Sequence, residues 1–241
     1  MLHNGRQAIV VDPGDSAPVV HALKHLNLTL QAILVTHHHG DHTGGVAALR
    51  ASTGATVYGP AREDIPRPLT ALADGQAVTA LGLQFEVIDV PGHTAGHIAY
   101  VCAAMDGQPL LFCGDTLFSA GCGRLFEGTP AQMLASLNRL AALPPDTRVC
   151  CTHEYTLSNL KFALEVDPDN ADLIAYSAHC HALRAQGQPT LPSSIALERK
   201  INPFLRSSEP ALIAAARRFD AASVEQNGAF STLRQWKNQY R

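Results

Sequence analysis

Four apolar runs in this chain each stop at side chains able to hold a metal ion. Ala32-Ile33-Leu34-Val35 leads into Thr36-His37-His38-His39-Gly40-Asp41-His42, and the run from Gln84 to Val90 leads into Pro91-Gly92-His93. Pro109-Leu110-Leu111-Phe112-Cys113 ends in Gly114-Asp115, and Arg148-Val149-Cys150-Cys151 ends in Thr152-His153. Short apolar runs bounded by turn residues predict buried strands. In open α/β sheets the ends of such strands form one rim where sites gather. The fold is thereby constrained to bring four strand ends together. His37, His39, Asp41 and His42 offer nitrogen and oxygen donors suited to zinc or a similar divalent ion. Residues two apart on an extended turn can share an ion, whereas Asp41 and His42 point elsewhere. The spacing therefore predicts two neighbouring ions, completed by His93, Asp115 and His153.

The order of elements supports an α/β architecture. Ala8-Ile9-Val10-Val11 predicts a strand ending in the turn Asp12-Pro13-Gly14-Asp15. Val19, Val20, Leu23 and Leu26 then fall at helical spacing, and a second helix is predicted from Gly44, followed by the strand Thr56-Val57-Tyr58. Strand and helix in alternation favour a sheet with helices packed outside it. Between Gln76 and Val90 the pattern changes to strands joined by a tight turn. Thr129-Pro130 supplies an N-cap and a first helical residue; Met133, Leu134, Leu137, Leu140 and Leu143 keep one face, and Pro144-Pro145 stops the helix. Beyond Tyr155 no strand is expected. Helices are predicted over 157–165, 171–186, 194–200 and 209–219, and Arg234, Trp236, Lys237, Tyr240 and Arg241 gather at the end. The expected division is a catalytic α/β part over 1–156 and a smaller all-helical domain over 157–241.

Composition excludes several classes of function. A chain of 241 residues with 46% hydrophobic and 16% charged content is an ordinary globular protein. Its formal net charge of -3 recommends neither nucleic acid nor an anionic membrane as partner. No apolar run reaches membrane-spanning length, and Met1 to Arg6 does not resemble a signal peptide. The six cysteines show no CxxC spacing, and several lie in apolar runs as small core residues. The expected compartment is the cytoplasm.

The set His37-x-His39-x-Asp41-His42 with His93, Asp115 and His153 resembles the metallo-β-lactamase superfamily. More narrowly, the chain resembles the glyoxalase II (hydroxyacylglutathione hydrolase) family. That resemblance rests on Val11-Asp12-Pro13-Gly14-Asp15, on Leu111-Phe112-Cys113-Gly114-Asp115-Thr116-Leu117-Phe118, and on Gly121-Cys122-Gly123-Arg124-Leu125-Phe126-Glu127-Gly128-Thr129. It continues through His153-Glu154-Tyr155-Thr156-Leu157-Ser158-Asn159-Leu160-Lys161-Phe162 and Asn202-Pro203-Phe204-Leu205-Arg206, so it covers nearly the whole chain.

The resemblance implies a four-layer αββα sandwich followed by the helical domain. It implies that His37, His39 and His93 hold one divalent ion and Asp41, His42 and His153 the other, with Asp115 bridging. Zinc is the expected metal, with iron or manganese as alternatives. Asp12 is expected to orient a ligand histidine. His38 and His97 are expected to be hydrogen-bonding histidines outside the ligand set, and Glu127 and Glu154 to be solvated or structural. Asp41 and Asp115 would be the catalytic carboxylates. A water shared by two dications becomes hydroxide near neutral pH and attacks the thioester carbonyl of an S-(2-hydroxyacyl)glutathione. The thiolate leaves readily, so no Ser-His-Asp triad is required, and Ser119 follows no G-x-S-x-G pattern. Arg124, Phe126, Tyr155, Arg234 and Lys237 would face the substrate, Phe126 standing where the family often has tyrosine. The expected partner is this small-molecule thioester, with no nucleic acid and no membrane, and the expected assembly is a monomer. Family members also carry a further N-terminal strand and turn before the segment that here begins Leu2-His3-Asn4-Gly5. Competing functions are a persulfide dioxygenase, a lactonase or β-lactamase, and a non-catalytic metal- or nucleic-acid-binding protein.

Overall fold

The computed structural model describes residues 1–105 and 107–240, so Arg241 lies outside the described residues. Two sheets stack with helices on both outer faces. The first half of the chain forms β1 (Leu2–His3), β2 (Gln7–Val11), α1 (Ser16–His25), β3 (Thr29–Leu34), α2 (Gly40–Thr43), α3 (Val46–Thr53), β4 (Thr56–Pro60) and β5 (Thr70–Leu72). There follow β6 (Ala77–Ala80), β7 (Leu83–Asp89), β8 (Ile98–Met105), β9 (Gln108–Phe112), the short hairpin β10 (Leu117–Phe118) and β11 (Gly121–Cys122), α4 (Pro130–Ala141) and β12 (Arg148–Val149). The remainder is α5 (Thr156–Val166), α6 (Ala171–Ala185), β13 (Ser193–Ser194), α7 (Ile195–Ile201) and α8 (Pro210–Gln239). One sheet has the order β1-β2-β3-β4-β5, the other β13-β12-β9-β8-β7-β6.

Period-two alternation sorts the strand residues into layers. Ile9, Ala32 and Leu34 face inward and meet Phe85, Val87, Tyr100 and Cys102 of the second sheet. Their neighbours Ala8, Val10, Ile33 and Val35 face out onto Leu23 of α1 and Val46 and Leu49 of α3. On the far side Ala99, Val101 and Leu111 pack against Met133, Leu137 and Leu140 of α4, and against Phe162, Phe204 and Leu233 from the helical part. The result is the four-layer αββα sandwich expected from the sequence. Thr129 and Gln132 form a reciprocal capping box ahead of Pro130, so α4 starts where the sequence placed it.

Strand direction places the four strand ends together. β2, β3 and β4 are parallel, and so are β9 and β12, while β7 and β9 both run antiparallel to β8. The segments after β3, β7, β9 and β12 therefore emerge on one edge. There Ile98 N–H donates to the Thr36 carbonyl at 3.0 Å and ties the two sheets together.

Two expectations for the second half need correction. A strand does occur beyond Tyr155: β13 pairs antiparallel with β12. It is two residues long and lacks an apolar run, so no local signal marks it. The last helix also continues past Phe219 to Gln239, with non-helical backbone at Asp220 and Gly228. Asp220 accepts from Ser223 N–H at 2.9 Å and restarts the helix after the first break. Both breaks interrupt the periodicity that would announce one long element.

The helical part is joined to the sheets through a buried carboxylate. Glu198, fully buried, accepts from Ala120 N–H at 2.9 Å and from the Asn202 amide at 3.0 Å, and Ser193 donates to it as well. Burial pushes its carboxyl pKa up and these hydrogen bonds oppose the rise. The same Asn202 amide donates to the Phe118 and Gly121 carbonyls, at 3.1 and 2.9 Å. Asn202→Ala should therefore leave several buried acceptors short of a donor and lower the unfolding free energy by about 3 kcal/mol, measured by urea denaturation.

Candidate metal centre

Three histidines at the common edge are held so that Nδ1 is spent on the protein and Nε2 faces the cluster. His42 Nδ1 lies 3.1 Å from Asp12 Oδ2, His93 Nδ1 lies 2.8 Å from the Arg124 carbonyl, and His37 Nδ1 lies 3.0 Å from Thr36 Oγ1. The Thr36 hydroxyl donates onward to Asp12 at 2.7 Å, so it accepts from His37. All three rings are thus fixed with hydrogen on Nδ1 and a lone pair on Nε2, the arrangement typical of metal-ligating histidine.

The free atoms converge in two groups. His39 Nδ1 lies 3.1 Å from His37 Nε2 and 3.0 Å from His93 Nε2. In the second group Asp41 Oδ2 lies 3.7 Å from His42 Nε2 and 3.4 Å from His153 Nε2. Asp115 stands between them. Its Oδ1 is 3.4 Å from both His42 and His153, and its Oδ2 is 3.4 Å from His93. Both triads have the spacing of a metal-binding cluster. His42 Nε2, Asp115 Oδ1 and His153 Nε2 are buried yet have no hydrogen-bond partner. Buried polar atoms are ordinarily satisfied, and cations between these atoms would satisfy all three.

The electrostatics agree. Burial pushes His37 far below the usual histidine range and His93 down to about 4, so both stay neutral at pH 7. Burial raises Asp115 to about 7; His42 opposes the rise, and Asp12 and Asp41 add to it. Nitrogen and oxygen donors grouped in this way suit divalent cations.

Backbone conformation puts Asp115 in place. Gly114 has φ +48°, and a Cβ there would lie 2.3 Å from Thr36 Oγ1, so the turn out of β9 admits only glycine. His97, fully buried, stacks on His37 at 4.5 Å and accepts from Asp115 N–H at 3.2 Å. It joins neither triad. His38 also stays outside them, next to Glu63 and Glu127. Glu127 accepts from Ala95 N–H and Glu154 from Thr190 N–H. Ser119 is buried and bonded to the Tyr176 hydroxyl at 2.9 Å, far from any nucleophile's role. Glu63 has no counterpart in the sequence reading: it sits in a loop without a motif.

A cleft of about 640 Å³ opens from these groups. Tyr155 stacks on His153, and Phe126, strongly exposed, meets His39 and His93 edge-on. Arg124, Arg234 and Lys237 line the rest of the wall. Arg234 is only 4% exposed. It donates to the Cys122 carbonyl at 2.8 Å and to Asn238 at 3.1 Å, lies over Phe204, and keeps Nε buried without a partner. Half-buried Lys237 donates to the Ser158 carbonyl at 2.8 Å. Burial, followed by repulsion from Arg234, Arg124 and Lys161, lowers its pKa to about 8.

The comparisons agree over the whole length. Residues 1–153 match the family model "Metallo-beta-lactamase superfamily", and residues 154–240 match "Hydroxyacylglutathione hydrolase C-terminus". The chain is 66% identical over 240 residues to the hydroxyacylglutathione hydrolase of Albidiferax ferrireducens, covering 100% of this chain and 94% of the relative. It is 58% identical to the enzyme of that name from Pseudomonas aeruginosa, covering 98% and 91%. The crystal structure of TTHA1623 in a di-iron-bound form is 28% identical, with a TM-score of 0.57 over 81% of this chain and 88% of that one.

Asp12→Ala should free the His42 ring to rotate and weaken binding by the Asp41/His42/His153 group about 10- to 100-fold. Zinc titration against a competing chelator measures this.

Proposed function

The chain belongs to the hydroxyacylglutathione hydrolases of the metallo-beta-lactamase superfamily, and on that premise we propose that it hydrolyses S-(2-hydroxyacyl)glutathione thioesters, such as S-D-lactoylglutathione, at a two-metal centre. The observation that carries this reading is a single cleft lined at one end by His39, Asp41, His93 and Asp115 of the seven ligand-capable side chains, with cations on its wall. His37, His39 and His93 would hold one ion and Asp41, His42 and His153 the other, with one oxygen of Asp115 toward each. Zinc is the proposed metal. Nitrogen and oxygen ligands also suit iron or manganese, and a similar protein has been crystallised with two irons. When bound, such ions make water acidic enough to supply a nucleophile at neutral pH and polarise the carbonyl under attack.

The protein's own groups do the rest. Asp12 and the Arg124 carbonyl hold the histidine tautomers. Phe126 and Tyr155, flanking the two triads, form the walls against which the acyl group lies. Arg124, Arg234 and Lys237 suit the two carboxylates of glutathione, and we propose that residues 157–241 serve mainly to present the last two of these cations. Arg234, with two of its nitrogens already bonded to the protein, shapes and charges the wall more than it reaches out. Phe126 offers no hydroxyl, so its contribution is apolar. The thiolate departs without needing a general acid. We also propose a cytoplasmic monomer with no nucleic-acid or membrane partner. Among the described residues no helix is long and apolar enough to cross a membrane.

Fully metallated protein should release glutathione from S-D-lactoylglutathione, followed by thioester absorbance with metal content measured on the same sample. Activity on lactones or persulfides with none on any glutathione thioester would overturn the assignment. Asp115→Asn keeps the shape but removes the charge facing both groups, and should lower kcat/KM about 100-fold or more. A variant with both ions and near-normal turnover would show that Asp115 is not shared.

Lys237 adds a pH test. Its charge is present below its pKa of about 8 and lost above it. Binding of a substrate carboxylate should therefore weaken as pH rises, giving a fall in kcat/KM above about pH 8 that Lys237→Met abolishes.

A further inference from the structure

His38, the one histidine of the first cluster that neither triad uses, sits in a clamp. On the extended turn between β3 and α2, His37 and His39 point inward and His38 points away from them. Glu63 meets it there, its side chain 1% exposed. One oxygen of Glu63 accepts from the His38 backbone N–H at 3.0 Å and also contacts His38 Nδ1. The other oxygen accepts from Gly96 N–H at 2.7 Å. A single buried carboxylate thereby spans the turn that carries His37 and His39 and the turn that follows His93.

Glu127 repeats the connection on the exposed side. It accepts from Ala95 N–H at 2.8 Å, and its other oxygen lies 3.4 Å from His38 Nε2. The imidazole of His38 is thus a crossbar between two carboxylates, each of which grips a backbone N–H of the same 93–97 turn. The fit leaves no slack: a Cβ on Gly96 would lie 2.7 Å from the Arg62 carbonyl and 2.9 Å from Glu63 Cγ.

We propose that Glu63, braced through His38 to Glu127, is a positioning residue that sets the distance between the His37/His39 turn and the His93 turn, and so tunes the three-histidine group for its ion. This rests on the reading of that group as a metal site. Metal–ligand distances tolerate only about 0.2 Å of error, and His39 lies 3.1 Å from His37 on its own turn and 3.0 Å from His93 on the other. The Asp41/His42/His153 group draws nothing from Glu63 or Glu127. The three residues His38, Glu63 and Glu127 are close enough to be taken for a metal site themselves. Against that, both oxygens of Glu63 already face backbone N–H groups, whose positive ends repel a cation.

Glu63→Gln tests this because an amide has one acceptor oxygen, so its NH2 must face either His38 N–H or Gly96 N–H. Zinc binding is titrated against a competing chelator in wild type and variants, and the step lost in His93→Ala marks the three-histidine group. In Glu63→Gln that step should weaken about 10- to 100-fold, the range seen when groups supporting metal ligands are removed, while the other step changes by less than about twofold. Glu127→Gln keeps an acceptor for Ala95 and should weaken the step by less than about threefold. If Glu63→Gln does not fold, His38→Ala, which keeps both backbone hydrogen bonds of Glu63, should weaken the same step by about 10-fold, at the low end of that range. Equal weakening of both steps would mean a general structural role, and unchanged steps no role; either overturns the proposal alone. A third zinc in wild type that His38→Ala loses overturns it in favour of a metal site. Wild type that binds neither zinc, iron nor manganese overturns the metal reading itself, and the clamp with it.

Discussion

Asp12 accepts three hydrogen bonds in the interior, from Thr36 N–H at 2.7 Å, from the Thr36 hydroxyl at 2.7 Å and from His42 Nδ1 at 3.1 Å. Its own N–H donates to the Leu34 carbonyl, so the residue extends the β2–β3 pairing by one step and then turns its side chain across the strand end. A φ of +48° makes that turn possible, a conformation uncommon for a residue with a side chain. Through this carboxylate the first sheet decides which nitrogen His42 presents and, by way of Thr36, which nitrogen His37 presents. Removing Asp12 would disturb the two triads together with the backbone that carries them.

The second sheet contributes the rest by direction. Parallel β9 and β12 deliver Asp115 and His153 side by side, while β7 delivers His93 from the same edge. Ile98 to Thr36 is the seam between the sheets at this edge, and the buried Tyr100 hydroxyl adds a bond to the Val35 carbonyl at 2.9 Å. His37 and His93, kept neutral by burial, stand there beside His42, whose pKa the neighbouring carboxylates Asp12, Asp115 and Asp41 raise. Dications bound there would stabilise such an arrangement and so would couple metal binding to folding at this edge.

The helical part closes the cleft through long-range polar contacts at its base and apolar packing behind. Phe162 and Phe204 stack at 6.1 Å, and Trp236 packs edge-on to Phe162 at 5.6 Å. This fixes the last turns of α8, which is why Arg234 and Lys237 are held in place and not left as solvated cations. Arg234 is anchored to Cys122, in the hairpin that follows Asp115, so metal edge and cationic wall share one support.

Local signals made the sandwich readable. An apolar run ended by turn residues needs only its neighbours to declare itself, and the seven candidate ligands lie at such ends, from His37 to His153. The same holds for the cap at Thr129-Pro130 and for the glycine in Gly114-Asp115. Where partners are far apart in sequence, nothing local marked them. Glu63 reaches residues 25 and 33 positions away, and Arg234 is buried by a carbonyl 112 positions away. β13 exists because Thr147 to Val149 offers it an edge, not because Ser193-Ser194 favours a strand. Residue types and their periodicity determined the layers and the donor set. Which nitrogen each histidine offers, how far apart its turns stand and whether a cation is buried or solvated depend on hydrogen bonds across the fold, and those come into being only when the sheets meet.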